Sequence, residues 1–235
     1  MADINGLRLY PEGAISAIAD AIRTVGGGTS TYKVSQMASA ISNLSVATSD
    51  SATELINKTL SGTLNIPSSV SKIGSYAFYY CTSLTSISAS ANISINTYGF
   101  AYCSNLTSAN LPHCLNLENY AFNRCLKLRE ATFSECGYVG AGAFYSCRSM
   151  IIASFNASYI GNSAFYSCYN LLSLYLTSTS VCSLAGTAAF TSTPISTYTV
   201  STGGMQGSIF VPLSLLSAYK SSTNWAVYSN RMVGI

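Results

Sequence analysis

The sequence predicts an α+β repeat fold: a solenoid of stacked turns with a parallel sheet, led by a short helical segment and closed by a C-terminal cap. Three observations carry this reading. First, an Ala-Phe-x-x-Cys-x-x-Leu signature places Phe at Phe78, Phe100, Phe122, Phe144, Phe165 and Phe190, with gaps of 22, 22, 22, 21 and 25 residues. A fixed period in the twenties marks a solenoid, whose turns bury their apolar edges against their neighbours. Second, Cys81, Cys103, Cys125, Cys147 and Cys168 follow three residues later, and Leu84, Leu106, Leu128, Met150 and Leu171 three residues after those. Third, each of these Leu or Met positions opens a stretch ending in alternating apolar and polar residues, as in Leu84-Thr-Ser-Ile87-Ser-Ala89 and Leu171-Leu-Ser-Leu174-Tyr-Leu176. A strand with one buried face has that period of two.

Taken in order, residues 1–47 read as a helical attachment and oligomerisation segment. Ile15, Ile18, Ala19 and Ile22 follow helical spacing behind Pro11 and Glu12, and Gly26-Gly27-Gly28 ends that helix. A second helix fits Ser35 to Asn43, with Met37, Ala40, Ile41 and Leu44 on one side. Two such short helices bury too little surface to stand alone, so Ile15, Ile18, Ile22, Met37 and Ile41 are expected to meet the solenoid or another chain. Residues 48–59, rich in Ser, Thr and Ala, read as a linker. The solenoid spans 60–205. Its strands follow the Leu column, and each turn returns through Ile73, Ile95, Leu117, Val139 and Ile160, five residues before each Phe. Residues 206–235 read as the cap, with a strand over Gly207–Pro212, a helix over Leu213–Lys220, and Trp225 and Tyr228 packing over the last turn.

Composition bounds the function. Hydrophobic residues make up 49% of the chain and mean hydropathy is +0.32, which excludes a disordered chain. Charged residues are only 8%, against roughly 25% in ordinary domains, so solubility rests on Ser, Thr, Asn and 17 Tyr. A net charge of +3 with no Lys/Arg run gives no case for nucleic acid. No apolar stretch reaches the roughly 18 residues that cross a bilayer, and Met1 to Arg8 does not read as a secretion signal.

The eight Cys fall in columns, five in the repeat signature and Cys114, Cys136 and Cys182 each eight residues before a Phe. They read as buried thiols rather than metal ligands, since no Cys-x-x-Cys occurs and His113 is the only histidine. Vertical neighbours about 4.8 Å apart also come near disulfide distance. No cofactor or metal is expected. Nor is an enzyme: His113 follows Pro112 at a turn, Glu130 and Glu135 read as solvated acids, and the thiols lie in core columns.

Binding residues are sought between the core columns. Tyr79, Tyr80, Tyr98, Tyr102, Arg124, Tyr145, Tyr166 and Tyr169 flank the Phe column, and Tyr76 and Tyr120 lie beside them. Tyr gives a large amphipathic contact area at low entropic cost. The alternative is the outward strand face, with Ser86, Ser88, Asn110, Glu130, Thr132 and Tyr175. The Tyr-rich turns are the favoured surface, because Ser and Thr alone are poor anchors.

Ile73-Gly-Ser-Tyr-Ala77-Phe78-Tyr-Tyr-Cys81-Thr-Ser-Leu84-Thr-Ser-Ile87 resembles the repeat of BspA-type leucine-rich repeat proteins. The closing Phe210-Val-Pro212, Ala218-Tyr-Lys220 and Trp225 are similar to that family's terminal segment. Together the resemblance covers residues 60–235 and implies a leucine-rich-repeat solenoid. The sixth turn departs from it, with Thr193 in the Cys position. Ile18 to Arg23, Gly26 to Gly28 and Met37 to Ile41 are similar to segments of tail and baseplate proteins of phages and prophages of Gram-positive bacteria. That second resemblance implies a virion tail-fibre or baseplate protein, assembled in the host cytoplasm, that touches a host-surface protein or glycan. Its N-terminal helices would contact other virion proteins and a homo-oligomer is expected, a trimer in the case of a fibre. Two alternatives stay open, a bacterial surface adhesin or scaffold of the same repeat family and a purely structural virion subunit.

Overall fold

The computed structural model describes residues 3–4, 7–8, 60–66, 68, 70–196 and 206–235. The helices and linker expected before residue 60 lie outside the described residues, apart from two short strands. β1 (Asp3–Ile4) and β2 (Leu7–Arg8) pair antiparallel, Ile4 opposite Leu7. These strands precede the first expected helix, which begins at Pro11.

From residue 60 the chain coils into a solenoid with two parallel sheets, where the sequence led us to expect one. The front strands are β3 (Gly62–Ile66), β5 (Leu84–Ala89), β7 (Ser108–Asn110), β9 (Glu130–Phe133), β11 (Ile152–Phe155), β13 (Ser173–Leu176) and β15 (Ser208–Val211). β16 (Met232–Gly234), which the sequence did not announce, adds a last front strand beside β15. The front divides into a three-stranded part, β3-β5-β7, and a five-stranded part, β9-β11-β13-β15-β16. The back strands are β4 (Lys72–Ile73), β6 (Ile93–Ile95), β8 (Cys114–Leu117), β10 (Tyr138–Val139), β12 (Tyr159–Ile160) and β14 (Ser183–Leu184), joined in one six-stranded sheet.

Register follows the repeat. Ala131, Ala153, Leu174 and Ile209 align across the front, and Ile73, Ile95, Leu117, Val139, Ile160 and Leu184 across the back. Several front strands begin two residues after the Leu column, whose N–H groups close the turns, that of Leu84 at the head of β5 included. Leu106 donates to Cys103 O at 3.0 Å and Leu128 to Cys125 O at 3.2 Å. Between the sheets lies the Phe column, each ring stacked on the next at centroid distances of 4.9, 5.5, 5.5, 5.4 and 5.4 Å from Phe78 to Phe190. Phe133 and Phe155 thicken this core in the middle turns.

All eight cysteines are buried and free. Their column also carries hydrogen bonds that apolar residues could not make. The thiols of Cys103, Cys125, Cys147 and Cys168 donate to the carbonyls of Phe78, Phe100, Phe122 and Phe144 in the preceding turn, at 3.1 to 3.2 Å. In the last turn Thr193 Oγ1 donates instead to its own turn's Phe190 O at 2.7 Å. The departure from Cys thus falls where the pattern of support changes. Burial pushes the Cys168 and Cys182 thiols up to about 12, so they stay protonated and poorly nucleophilic near neutrality.

The C-terminal segment closes the far end. A 3-10 turn, Leu213–Leu215, leads into α1 (Leu216–Ser221), and a second 3-10 helix, Ala226–Arg231, precedes β16. Trp225 and Tyr228 lie on Phe190 at 5.9 and 5.3 Å. Their polar tips serve the back-sheet edge, whose backbone has no further strand to pair with. Trp225 Nε1 donates to Cys182 O at 2.6 Å, Asn224 Nδ2 to Leu184 O at 2.8 Å, and Cys182 N–H donates to the Tyr219 hydroxyl at 2.9 Å. Tyr228 donates to Thr187 O.

Burial holds the phenols of Tyr219 and Tyr228 up at about 12, from an ordinary value of 10.0. Between those values the unfolded chain releases protons that the folded chain keeps, so stability falls as pH rises from 10 to 12. Fluorescence of Trp225, the only tryptophan, should report the cap loosening across that window. A signal flat to pH 12 would count against this account.

Candidate functional site

Each turn's corner alternates two kinds of backbone hydrogen bond. Tyr79 N–H donates within the turn to Tyr76 O at 3.1 Å, whereas Phe78 N–H reaches the next turn's Gly99 O at 2.7 Å and Tyr80 N–H reaches Ala101 O at 2.9 Å. Residues two before the first five Phe and two after all six adopt left-handed backbone to permit this. Tyr76, Tyr98, Tyr120 and Ser163 do so before the Phe, and Tyr80, Tyr102, Arg124, Ser146, Ser167 and Ser192 after it, with φ between 55° and 64°. Non-glycine residues pay about 1–2 kcal/mol each for that conformation. The inter-turn N–H bonds offset it by leaving no orphaned corner donors. The one glycine in this set, Gly142 at φ 61°, has a second reason: a Cβ there would lie 2.3 Å from the Tyr120 ring.

This corner carries the expected tyrosines, in three groups. Tyr76, Tyr98 and Tyr120 stack in file at 4.9 and 4.9 Å. Tyr80 and Tyr102 stack at 4.7 Å, and the guanidinium of Arg124 continues that file 5.4 Å from the Tyr102 ring. Tyr79 stands between the files, edge-on to Tyr76, Tyr80, Tyr98 and Tyr102 at 5.0 to 6.3 Å. Farther along, Tyr145 and Tyr166 form their own stack at 4.8 Å, and Arg148 lies 5.7 Å from the Tyr169 ring. The structure therefore joins Tyr79, Tyr80, Tyr98, Tyr102 and Arg124 into one patch with Tyr76 and Tyr120. It places Tyr145 and Tyr166 in a second group and Tyr169 in a third.

Tyr76 and Tyr80 remain 43% and 49% exposed. The Tyr79 and Tyr98 phenols are held above their ordinary value, first by burial and then by neighbouring tyrosines, so both stay protonated near neutrality.

On the front strand face, polar side chains bond one another across turns. Thr63 Oγ1 and Ser86 Oγ lie 2.7 Å apart, and Ser88 Oγ donates to Asn65 Oδ1 at 2.7 Å. Asn110, Glu130 and Thr132 are exposed, and Tyr175 stacks on Phe210 at 4.5 Å. Phe210 escaped the sequence reading as a surface residue, although its register with Tyr175 carries the signal. Arg148 was also missed, as was Asn123, which occupies the Tyr79 and Tyr145 position of its turn.

His113 Nδ1 and Glu135 Oε1 lie 2.8 Å apart in an exposed pair between neighbouring turns, far from any arrangement for proton transfer to a bound group. Among the described residues, no three His, Cys, Asp or Glu side chains converge in a metal-holding group, and no helix is long and apolar enough to cross a membrane. The oligomerisation residues Ile15, Ile18, Ile22, Met37 and Ile41 lie outside the described residues.

Comparison with curated proteins finds no match. Among solved structures, a leucine-rich repeat protein of T. pallidum is 27% identical, with a TM-score of 0.45, and the match covers 48% of this chain and 58% of that one. The pneumococcal vaccine antigen PcpA is 13% identical with a TM-score of 0.52, covering 76% of this chain and 41% of that one. A leucine-rich repeat protein from Bacteroides ovatus is 21% identical with a TM-score of 0.46, covering 58% and 42%. The chain thus spans about half the length of the structures it matches. None of these findings supports the phage-tail resemblance of the N-terminal stretch. The BspA type leucine rich repeat region matches residues 46–151 and 93–210 in six copies. With the repeat, its two sheets and the family match in agreement, the chain belongs to the BspA-type leucine-rich repeat family.

Proposed function

We propose that this chain is a non-enzymatic binding protein of a bacterial cell surface, and that it holds a host-surface protein or glycan on its tyrosine-rich corner. The observation that carries the site is the patch of six tyrosines and Arg124, linked ring to ring on the outside of the first three turns. Such rings are already ordered by one another, so a partner pays little side-chain entropy to use them. The surface location rests on the family: chains of this repeat type are typically bacterial cell-surface proteins. Leucine-rich repeats are also generally binding scaffolds rather than catalysts. The virion reading has no comparable support and becomes an outcome of the test.

Antibody against the chain should label intact bacteria. Label found only after lysis, or only on phage particles, counts against the surface reading. For the site, Tyr79→Ser, Tyr102→Asn, Tyr145→Ser and Tyr166→Ser are combined, with Asn chosen where φ is 63° because it tolerates that backbone. Adhesion to host cells should fall at least about tenfold, the loss expected from removing several aromatic anchors. The four changes remove six ring contacts at about 0.5–1.5 kcal/mol each, so Tm falls measurably, and circular dichroism at the assay temperature must show the variant folded for the adhesion result to count. Adhesion equal to wild type removes the tyrosine corner. A homo-oligomer joined through Ile15, Ile18, Ile22, Met37 and Ile41 belongs to the same proposal, since it would raise a weak contact by avidity. Light scattering tests it, and a strict monomer sinks it.

A further inference from the structure

Charge is scarce on this solenoid and gathered in one place. Of the five Lys and Arg between residues 60 and 196, four fall within residues 124–148, as Arg124, Lys127, Arg129 and Arg148. All four are exposed. They lie on the loops that lead from the tyrosine corner to the front strands. Backbone bonds hold two successive loops side by side there. Arg124 N–H donates to Tyr145 O at 2.8 Å, Ser149 N–H to Leu126 O at 3.2 Å, and Ile151 N–H to Arg129 O at 2.8 Å. Arg148 falls between the first two of these bonds, so its backbone runs beside that of Arg124, Leu126 and Lys127.

These cations have no acid to meet among the described residues. Glu135 pairs with His113, Glu118 acts on Tyr138 of the back sheet, and Glu130 follows Arg129 in sequence without forming an ion pair with it. Two of the guanidinium groups are held on aromatic rings instead, Arg124 on Tyr102 at 5.4 Å and Arg148 on Tyr169 at 5.7 Å. Side chains ordered in this way lose less entropy when a partner arrives. Exposed apolar surface accompanies the charge. Leu126, between Arg124 and Lys127, is 37% exposed, and Tyr169 is 51% exposed. Leu126, Arg148 and Tyr169 each stand four residues after their turn's Phe, so they form one column across three turns.

We infer that this face docks an acidic segment of a protein partner, with carboxylates on Arg124, Lys127 and Arg148 and an apolar side chain against Leu126 and Tyr169. Charge complementarity selects the sign of the partner. Composition selects its class. Arg and aromatic residues are enriched where proteins meet proteins, whereas an anionic polysaccharide has no use for an exposed leucine. Nucleic acid would ask for a longer row of cations than two turns supply. This partner class deepens the proposed binding function and rests on it, since Arg124 belongs to the tyrosine corner as well.

The probe is a fluorescein-labelled peptide of Glu-Glu-Leu-Ser repeats, set beside its Gln-Gln-Leu-Ser counterpart and read by fluorescence anisotropy with the full chain. The acidic peptide should bind at low salt and weaken as ionic strength passes about 0.1 M, where screening reaches contact range. The Gln peptide should bind at least about tenfold more weakly. Lys127→Gln combined with Arg148→Gln should weaken the acidic peptide about tenfold, the worth of one charge-assisted hydrogen bond. Lys72→Gln combined with Lys220→Gln removes the same net charge from exposed positions elsewhere and should leave binding unchanged. Leu126→Ser should weaken the peptide about fourfold, the worth of one further buried methylene. Equal losses in the two charge pairs would reduce the face to net charge and overturn the inference. So would a heparin fragment that binds more tightly than the peptide and ignores Leu126→Ser. The corner and this partner fail separately. If the acidic peptide is not preferred while adhesion still falls in the four-tyrosine variant, the corner stands and the acidic partner does not. If that variant adheres as wild type while the Lys127 and Arg148 pair has lost the peptide, the acidic partner stands and the corner does not.

Discussion

Replacing Phe122 with alanine is expected to lower the unfolding free energy by about 3–5 kcal/mol, the usual cost of deleting a fully buried aromatic ring. Phe122 is entirely buried, stacked 5.5 Å from both Phe100 and Phe144 and 5.9 Å from Phe133. Its neighbours cannot close the gap, because their spacing is set by backbone bonds above and below. Phe122 N–H donates to Ala143 O at 2.7 Å, and Phe100 N–H donates to Ala121 O at 2.8 Å. In a solenoid each turn is stabilised only by its neighbours, so a defect at the centre uncouples the two halves. Urea unfolding followed by circular dichroism should show a lower midpoint and a broader transition. A loss under about 1 kcal/mol would mean that the column is not the principal core.

Trp225→Ala should cost more, by a different route. The ring covers Phe190 and packs edge-on to Tyr219 at 5.5 Å and Tyr228 at 6.4 Å, and its Nε1 serves Cys182 O. Truncation removes the apolar cover, about 3–5 kcal/mol, and leaves a buried carbonyl without its donor, a further 1–3 kcal/mol. Opening this end also bares the edge of β14, a template for pairing with other chains. The variant should therefore aggregate at concentrations where wild type does not, with light scattering on gentle heating as the measure. Wild-type behaviour in both stability and scattering would show that the cap is dispensable.

Much of this could be read from the chain alone because a repeat turns sequence into geometry. Phe78 to Phe190, their cysteines and the Leu column were placed in the core by spacing, and they are buried there. The cap residues Trp225 and Tyr228 were legible for a related reason: a stack with an open end needs large apolar residues to cover it. The back sheet was less legible. Its strands run only two to four residues, too short for alternation to stand out from the turn residues around them.

The site divides in the same way. The tyrosines were visible as non-core residues beside a core column, but their grouping was not. Tyr80 with Tyr102 and Arg124, and Tyr145 with Tyr166, depend on which residues share a column and which column faces which. Asn123 gave no signal, since an Asn at a turn corner is ordinary and only its unpaired burial sets it apart.

By itself the sequence determined that this chain is a solenoid and which residues, the cysteines among them, form its core. Those follow from local period and hydrophobicity, which any stacked arrangement must satisfy. Only the tertiary structure decided that the corners run through left-handed backbone at tyrosine, arginine and serine. It also decided that the cysteine thiols support the preceding turn's carbonyls, and that the tyrosines stack in two files with Tyr79 between them. These depend on contacts between residues about 22 to 25 positions apart. One turn's sequence does not specify how the next turn's side chains meet it.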